Sequence, residues 1–274
     1  MNMMRRANVP PPDLRDAMAD YSDIKLTISD GVARIAVCRI KQLNAYRDQT
    51  ADELLAAINR CDADTSVRAV MLTGEGRAFG AGYDLSTISP DDVPALDDVL
   101  ENHFNPVIRA IRTSRLPFVA AVNGPCAGAS VGIALACDIV VAARSAYFYE
   151  PFVGIALVPD AGNTAFLTYA MGRGKASAMM LLGEKVSADT ASDWGLIWKV
   201  VDDAALEAEC RSICDTLVSR DAGAIASTKR LIEASHHLTL DEQLNMERDL
   251  QGELGRAPAM KAQIAAFFAR KKAK

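Results

Sequence analysis

One aspartate in the middle of the chain occupies a setting that suggests acid–base chemistry. Asp160 lies in the stretch GIALVPDAGNTAFL, between an apolar run and a turn of small residues that opens another apolar segment. An aspartate before a helix can cap it by accepting hydrogen bonds from first-turn N–H groups, although Asn163 and Thr164 can cap the same helix. In an apolar pocket the carboxyl pKa would instead rise, and Asp160 could act as a general base. Both interpretations stay open from this stretch alone.

Two glycine-rich stretches could complement such a base. Residues 78–83 are AFGAGY, and residues 124–132 are GPCAGASVG. Glycine lets a backbone approach a ligand closely, and first-turn N–H groups of a helix favour negative charge. One N–H from each stretch would form an oxyanion hole, although glycine-rich turns after strands are also common where no chemistry occurs. Neither stretch contains GxGxxG, and the chain has no GxxxxGK[ST], so binding of a dinucleotide or a nucleoside triphosphate is not predicted.

Hydrophobic periodicity places these stretches in an α/β domain. Residues 24–40 alternate apolar and polar side chains around Asp30 and Gly31, which predicts a hairpin. Apolar strands are predicted directly before each glycine-rich stretch, and alternation of strands and helices over the first 200 residues indicates an α/β fold. Helical spacing predicts helices over 48–60 and 99–114, a helix within PCAGASVGIALACD, and three or four amphipathic helices over 203–271. The polar residues 89–98 are predicted to form a lid.

Composition excludes several function classes. The chain has 274 residues, of which 50% are hydrophobic and 24% charged, which is typical of a globular protein. A net charge of −5 does not favour nucleic acid binding, and no apolar run predicts a membrane span. Residues 1–22 are predicted to form an extended arm without a secretory signal, so a cytoplasmic location is expected. Cys210 and Cys214 are four residues apart but lack further ligands nearby, so neither a metal site nor a disulfide framework is predicted.

Taken together, these stretches resemble the crotonase (enoyl-CoA hydratase/isomerase) superfamily over nearly the whole chain after residue 22. GRAFGAGYDL is similar to its first signature, AAVNGPCAGASVGIALACDIVVAARSAYF to its second, and VPDAGNTAFL and SADTASDWGLIWKVVDD continue in order. The resemblance implies an α/β fold in which residues 23–202 form a crotonase-like spiral of strand–strand–helix units carrying the acyl-CoA site. Residues 203–274 would then form a C-terminal helical trimerisation module, giving a homotrimer or a dimer of trimers.

The resemblance also assigns roles to site residues. The family binds acyl-CoA thioesters and stabilises a thioester enolate with two backbone N–H groups, which by position belong here to Tyr83 and Ala129. CoA enters as part of the substrate, and neither a separate cofactor nor a metal is implied. The residues expected to contact the substrate lie in the two glycine-rich stretches and the segment after them: Ala81, Gly82, Gly128, Gly132 and Phe152.

The carboxylates indicate which reaction to expect. Hydratases of this family use two glutamates, and the corresponding positions here are Gly132 and Phe152, which cannot transfer a proton. Asp160 matches the position at which isomerase members and a dehalogenase member carry their functional acid. Isomerisation needs one base beside an oxyanion hole. We therefore predict an acyl-CoA isomerase with Asp160 as the proton shuttle, acting by shifting a double bond or by rearranging a ring-bearing CoA thioester.

Three alternatives remain at this stage. Glu150 would share a strand face with Phe152 and could replace a missing acid, which would favour a hydratase or another lyase or hydrolase of the family. His103, on a predicted helix, could contact the substrate. The protein could also be a non-catalytic acyl-CoA-binding member, since some members have lost their carboxylates.

Overall fold

The computed structural model describes residues 21–89 and 91–272, so the predicted N-terminal arm lies almost wholly outside the described residues. Within the described residues the strands are β1 Ile24–Ser29, β2 Val32–Val37, β3 Ala69–Gly74, β4 Phe118–Val122, β5 Cys126–Ala127, β6 Ile139–Ala143, β7 Tyr147–Tyr149, β8 Val186–Ser187 and β9 Lys199–Val201. The α-helices are α1 Asp48–Ala63, α2 Leu96–Val99, α3 Asn105–Thr113, α4 Ala129–Ala136, α5 Asn163–Leu182, α6 Ala188–Asp193, α7 Leu206–Val218, α8 Ala222–Ala234, α9 Leu240–Arg256 and α10 Pro258–Lys272.

The predicted hairpin opens the main sheet. β1 and β2 pair antiparallel, and Asp30 and Gly31 between them have φ of 51° and 78°. Positive φ at both turn residues is the geometry that an Asp-Gly pair favours in a two-residue hairpin, which confirms the prediction. The sheet continues in the order β1-β2-β3-β4-β6-β9, with parallel pairing from β2 onwards. β3 and β4 are buried throughout, as expected for parallel strands covered on both faces.

A second, three-stranded sheet has the order β5-β7-β8, and the helix predicted within PCAGASVGIALACD follows its first strand. Cys126 and Ala127 pair with Phe148 and Tyr149, so the chain stays extended there and α4 begins only at Ala129. Gly128 joins strand to helix with φ 56° and ψ −131°, a conformation open to glycine but strained for other residues.

The helix predicted over 99–114 begins three residues earlier and contains an irregular turn. Residues Leu100–Phe104, between α2 and α3, adopt the wider π-helical form. One extra residue per turn rotates the following side chains relative to a regular helix. Of the polar stretch predicted to be a lid, residues 96–98 belong to α2, while Ser89 and Asp92 form an isolated antiparallel bridge.

Within the described residues four α-helices follow β9, in agreement with the predicted number. α7 packs on β3, β4 and β6 with Cys210 and Cys214 fully buried, so it completes the core of the main sheet. α9 and α10 carry exposed apolar side chains: Leu240, Leu244, Met260, Ile264, Phe267 and Phe268. Their proposed role in oligomerisation stays a prediction. No helix among residues 21–89 and 91–272 is long and apolar enough to cross a membrane.

Lys229 fixes α8 to the α/β core. Its side chain is 6% exposed, and its Nζ donates to the carbonyl oxygens of Ile111 and Leu116 at 2.7 and 2.8 Å and lies 2.9 Å from Asp138 Oδ2. Lys229→Met would retain an apolar stem but leave these acceptors without the ammonium. We expect the free energy of unfolding to fall by about 3 kcal/mol, measured by denaturant titration. Lys261→Met, at an exposed site on α10, is the control, and equal midpoints for both variants would contradict this role.

Candidate active site

A cavity of about 640 Å³ opens between the two glycine-rich stretches, the segment after β7 and the helical stretch from α2 to α3. Most of its wall is apolar, including side chains such as Leu100, Phe104 and Ile155. Among the described residues that line it, Asp160 is the one carboxylate. The cavity therefore offers an apolar acyl group a large desolvated space with one ionisable group in its wall.

The cavity brings together seven of the eight residues predicted to form the site. Gly132 is not part of the lining. The residues that line the cavity are Ala81, Gly82, Tyr83, Gly128, Ala129, Phe152 and Asp160.

The peptide group between Gly82 and Tyr83 is oriented by its carbonyl. The Gly82 oxygen accepts from the backbone N–H of Tyr46 at 2.7 Å, and Gly82 has a positive φ of 84°. Because the C=O and N–H of a trans peptide point in opposite directions, the Tyr83 N–H points away from Tyr46. That N–H has no hydrogen-bond partner among the described residues. An unpartnered N–H in a cavity wall can donate to an anionic oxygen of a ligand.

The peptide group between Gly128 and Ala129 is held in the same way. The Gly128 carbonyl accepts from the N–H of Val131 at 2.9 Å and from Nδ2 of the buried Asn163 at 3.0 Å. The Gly128 N–H donates to the Tyr149 carbonyl at 2.9 Å. The Ala129 N–H, at the start of α4, has no partner in the part of the chain that the structure describes. Its direction is therefore set by the partners of the carbonyl in the same peptide group.

Hydrogen bonds between the two loops fix the relative positions of these two peptide groups. The Ala127 N–H donates to the Gly80 carbonyl at 2.9 Å, and the Gly82 N–H donates to Ser130 Oγ at 3.0 Å. At Gly80 an added Cβ would lie 2.4 Å from Ser130 Oγ, so close packing there requires glycine. The two loops therefore form one rigid wall.

Asp160 does not use its side chain to cap α5. The residue preceding the helix is Gly162, and the contact across the turn is a backbone bond from the Asn163 N–H to the Asp160 carbonyl at 2.9 Å. Asp160 Oδ1 is buried without a hydrogen-bond partner among the described residues, and removal from water raises the pKa of this carboxyl to about 6. A carboxylate with such a pKa is ionised at neutral pH and basic enough to accept a proton from a substrate.

Gly132 has a packing position instead of the predicted contact with substrate. An ideal Cβ on Gly132 would lie 2.2 Å from the carbonyl oxygen of Ala161, so α4 approaches the residue next to Asp160 as closely as a backbone can. Ala161 itself has φ of 50°, in the left-handed region. The predicted contact fails because the loop that carries Asp160 fills the space that a side chain at position 132 would occupy.

Glu150 and Phe152 do not share a strand face, in contrast to the prediction. β7 ends at Tyr149, Pro151 has α-region angles (φ −80°, ψ −4°), and Phe152 begins a 3-10 turn. This bend turns Phe152 into the cavity wall, whereas Glu150 is fully buried outside the lining. Pro151 is therefore the reason that strand alternation fails here.

Two further polar residues stabilise the surroundings of the cavity. His103 is not part of the lining, and its Nδ1 lies 2.7 Å from Asp52 Oδ1 on α1. Asp84 is buried and accepts from Arg39 Nη2 at 2.7 Å and from the Ser86 N–H at 3.1 Å, so it braces the loop after Tyr83. Asp84 and His103 thus hold structural elements in place.

Sequence reasoning missed several residues of the site. Asn163 was considered only as a helix cap, but its carboxamide reaches Gly128. Leu100, Phe104 and Asn105 enter the lining from the π-helical turn and the start of α3. No periodic signal could have identified them, because a π-helical turn changes the helical register. The carboxamide of Asn163 directly after two small turn residues was the one available signal.

The described residues contain no group of three His, Cys, Asp or Glu side chains placed to hold a metal ion. Burial raises the pKa of the Cys210 and Cys214 thiols to about 12, so both are neutral core side chains at neutral pH.

Comparison with known proteins agrees with this architecture. The family model for enoyl-CoA hydratase/isomerase matches residues 27–274. An Escherichia coli (strain K12) protein named 1,2-epoxyphenylacetyl-CoA isomerase is 35% identical over 89% of this chain and 94% of its own length. A Rhodobacter capsulatus protein named "Probable enoyl-CoA hydratase" is 38% identical over 90% of this chain and 95% of its own length. The solved structure of an enoyl-CoA hydratase from Polaromonas sp. JS666 superposes with a TM-score of 0.85 at 32% identity, covering 90% of this chain and 97% of that one.

The chain therefore belongs to the enoyl-CoA hydratase/isomerase family and has the crotonase-like α/β fold that the sequence resemblance implied. Members of this family process acyl-CoA thioesters, and the cavity between the two glycine-rich loops is the candidate site for such a thioester.

The close approach at Gly132 can be tested by adding one methyl group. Gly132→Ala would force the Ala161 carbonyl away from α4, and we expect a loss of about 1–3 kcal/mol in the free energy of unfolding. Gly174→Ala is the matched control: it lies in α5 with nothing within 4 Å of an added Cβ, and we expect it to be neutral or to stabilise by about 0.5–1 kcal/mol. Denaturant titration of both variants measures these changes. An unfolding midpoint of Gly132→Ala equal to that of the wild type would refute the packing role.

Proposed function

We propose that the protein is an acyl-CoA isomerase that shifts a double bond or rearranges a ring-bearing CoA thioester through an enolate. The observation that carries this proposal is the combination of one carboxylate, Asp160, with two unpartnered N–H groups, those of Tyr83 and Ala129, in an otherwise apolar cavity. CoA is part of the substrate, and the proposal involves neither a separate cofactor nor a metal.

In this mechanism Asp160 accepts a proton from a carbon next to the conjugated system. Negative charge then develops on the thioester oxygen, where hydrogen bonds from the Tyr83 and Ala129 N–H groups stabilise it. Each such donor is worth about 3–4 kcal/mol in the transition state when it is fixed in advance. The protonated Asp160 returns the proton to a different carbon, so substrate and product have the same mass.

Hydration is the second candidate, because a relative at 38% identity carries the name "Probable enoyl-CoA hydratase". The positions of the two family glutamates are Gly132 and Phe152 here, and Glu150 lies outside the cavity lining. A water molecule beside the substrate would therefore meet one carboxylate instead of two. The name of the E. coli relative, 1,2-epoxyphenylacetyl-CoA isomerase, supports isomerisation and a ring-bearing acyl group.

The proposal also includes the oligomeric state of the protein. The exposed apolar side chains of α9 and α10 leave these helices without a covering layer within the described part of one chain. A homotrimer or a dimer of trimers would bury them, as the resemblance implied.

Asp160→Asn keeps the shape of the side chain but removes the base. We expect turnover to fall by about 10³-fold, while binding of the thioester persists, because amide and carboxyl have similar volumes. Wild type and variant would each be given a 3-enoyl-CoA, a 2-enoyl-CoA and the epoxide of phenylacetyl-CoA, with products identified by mass and ultraviolet absorbance. A rearrangement without change of mass, lost in the variant, supports the isomerase.

Two outcomes of this assay would contradict the proposal. Addition of water to the 2-enoyl thioester by the wild type would identify a hydratase. Equal results for wild type and Asp160→Asn with every thioester, together with measurable binding, would favour a non-catalytic acyl-CoA-binding protein.

Asn163→Ala tests whether the carboxamide positions the Ala129 N–H. Loss of the bond to the Gly128 carbonyl would let the peptide group reorient, and we expect kcat to fall by about 10–100-fold with KM changed by less than about threefold. Thr164→Ala, at the adjacent exposed position, is the control. A rise in KM with kcat unchanged would instead show that Asn163 contributes to binding of the substrate in its ground state.

A further inference from the structure

Glu150 is a buried acid that the mechanism above does not use. It directly follows β7, its side chain is fully buried, and neither Oε1 nor Oε2 has a hydrogen-bond partner among the described residues. A buried carboxylate without a cation or a donor is strongly unfavourable, so the group must either be protonated or have an uncompensated charge.

Among the described residues, no cation acts on Glu150. Asp160 is the charged residue close enough to act on it, and the thiol of Cys126, on the neighbouring β5, is buried and neutral. Lys185 lies over the rings of Tyr147 and Tyr149, at 4.6 and 5.9 Å from their centroids. Within the described residues Lys185 forms no ion pair with Glu150 and is not among the groups that act on its carboxyl.

Two more acceptors without partners lie in the same region. Asn163 Oδ1 and Asp160 Oδ1 are buried, and neither has a hydrogen-bond donor within the described residues. The Gly128 peptide connects these groups, because its N–H donates to Tyr149, next to Glu150, and its carbonyl accepts from Asn163. A proton on Glu150 would remove one negative charge from this acceptor-rich region.

We propose that Glu150 is held as a neutral, proton-bearing carboxylic acid behind Asp160 and outside the cavity lining, so that Asp160 carries the single negative charge of the two. The part of this proposal that concerns turnover rests on the proposed isomerase function. The protonation state of Glu150 does not, and it can be measured without substrate.

Electrostatics supports this assignment. Burial, with a further contribution from the charge of Asp160, raises the pKa of Glu150 to about 9, whereas burial raises the pKa of Asp160 to about 6. Between these values the two residues carry one negative charge, on Asp160. Because the folded state retains a proton on Glu150 that the unfolded state releases, the contribution of Glu150 to stability must fall as pH rises from the ordinary glutamate range towards about 9.

Glu150→Gln tests the protonation state, because glutamine is neutral at every pH and nearly isosteric with a protonated glutamate. We expect the variant to be more stable than the wild type at about pH 8, and the difference to shrink towards about pH 5. The infrared carbonyl band of a protonated carboxylic acid should be present in the wild type near neutral pH and absent from the variant. Glu184→Gln, at an exposed position, is the matched control and should change neither measurement.

Kinetics tests the effect on Asp160. In the wild type we expect kcat/KM to fall below about pH 6, as Asp160 is protonated, and above about pH 9, as Glu150 ionises. Glu150→Gln should lose the alkaline fall while keeping the acid fall and activity within about threefold at neutral pH. A merely structural role for Glu150 would leave both limbs in place.

Identical pH–stability curves for wild type and Glu150→Gln, or an infrared band unaffected by the substitution, would overturn the proposal. A loss of turnover above about 100-fold at neutral pH would also overturn it, because Glu150 would then act as an ionised base. If Glu150→Gln does not fold, titration of the wild-type infrared band still decides, since the band must disappear near about pH 9. Absence of turnover with any thioester, with the band and stability behaving as expected, would refute the isomerase but not the neutral Glu150.

Discussion

Two peptide groups turn their carbonyls into the protein and their N–H groups towards the cavity, and the remainder of the candidate site depends on this constraint. A buried N–H without a partner is costly, so such groups persist only where the surrounding structure fixes them. Here the Gly82 carbonyl is bound by Tyr46, and the Gly128 carbonyl by Val131 and Asn163. The two N–H groups are therefore oriented before any ligand arrives, as the proposed oxyanion hole requires.

The sheet explains how two loops distant in sequence reach one cavity. β3 and β4 are adjacent parallel strands, and each leads into one glycine-rich loop. Because the carboxyl ends of adjacent parallel strands lie at the same edge of a sheet, the loops that follow them must meet there. The bonds from Ala127 to Gly80 and from Gly82 to Ser130 then convert this proximity into a defined separation.

The acid groups show how burial distributes one charge between two carboxyls. Asp160 lies in the cavity wall, where burial raises its pKa only to about 6, while Glu150 is held where ionisation is much less favourable. The close contact of Gly132 with Ala161 fixes the loop that carries Asp160. Pro151 separates the two environments, because its α-region angles bend the chain between Glu150 and Phe152. Asp160 and Glu150 carry the same functional group, and the difference in their surroundings gives them different protonation states.

By itself the sequence determined the features that rest on local chemistry. Asp30 and Gly31 specify their hairpin turn, apolar runs specify the buried strands, and the ordered glycine-rich stretches identify the family. Tertiary structure decided the rest, because it depends on contacts between distant segments. Pairing with β7 made Cys126 and Ala127 a strand, which the sequence did not predict, and the π-helical turn brought Phe104 and Asn105 into the lining. The separation of Glu150 from the cavity, and the replacement of a side chain at Gly132 by the Ala161 backbone, likewise follow from packing across the fold, which no local pattern encodes.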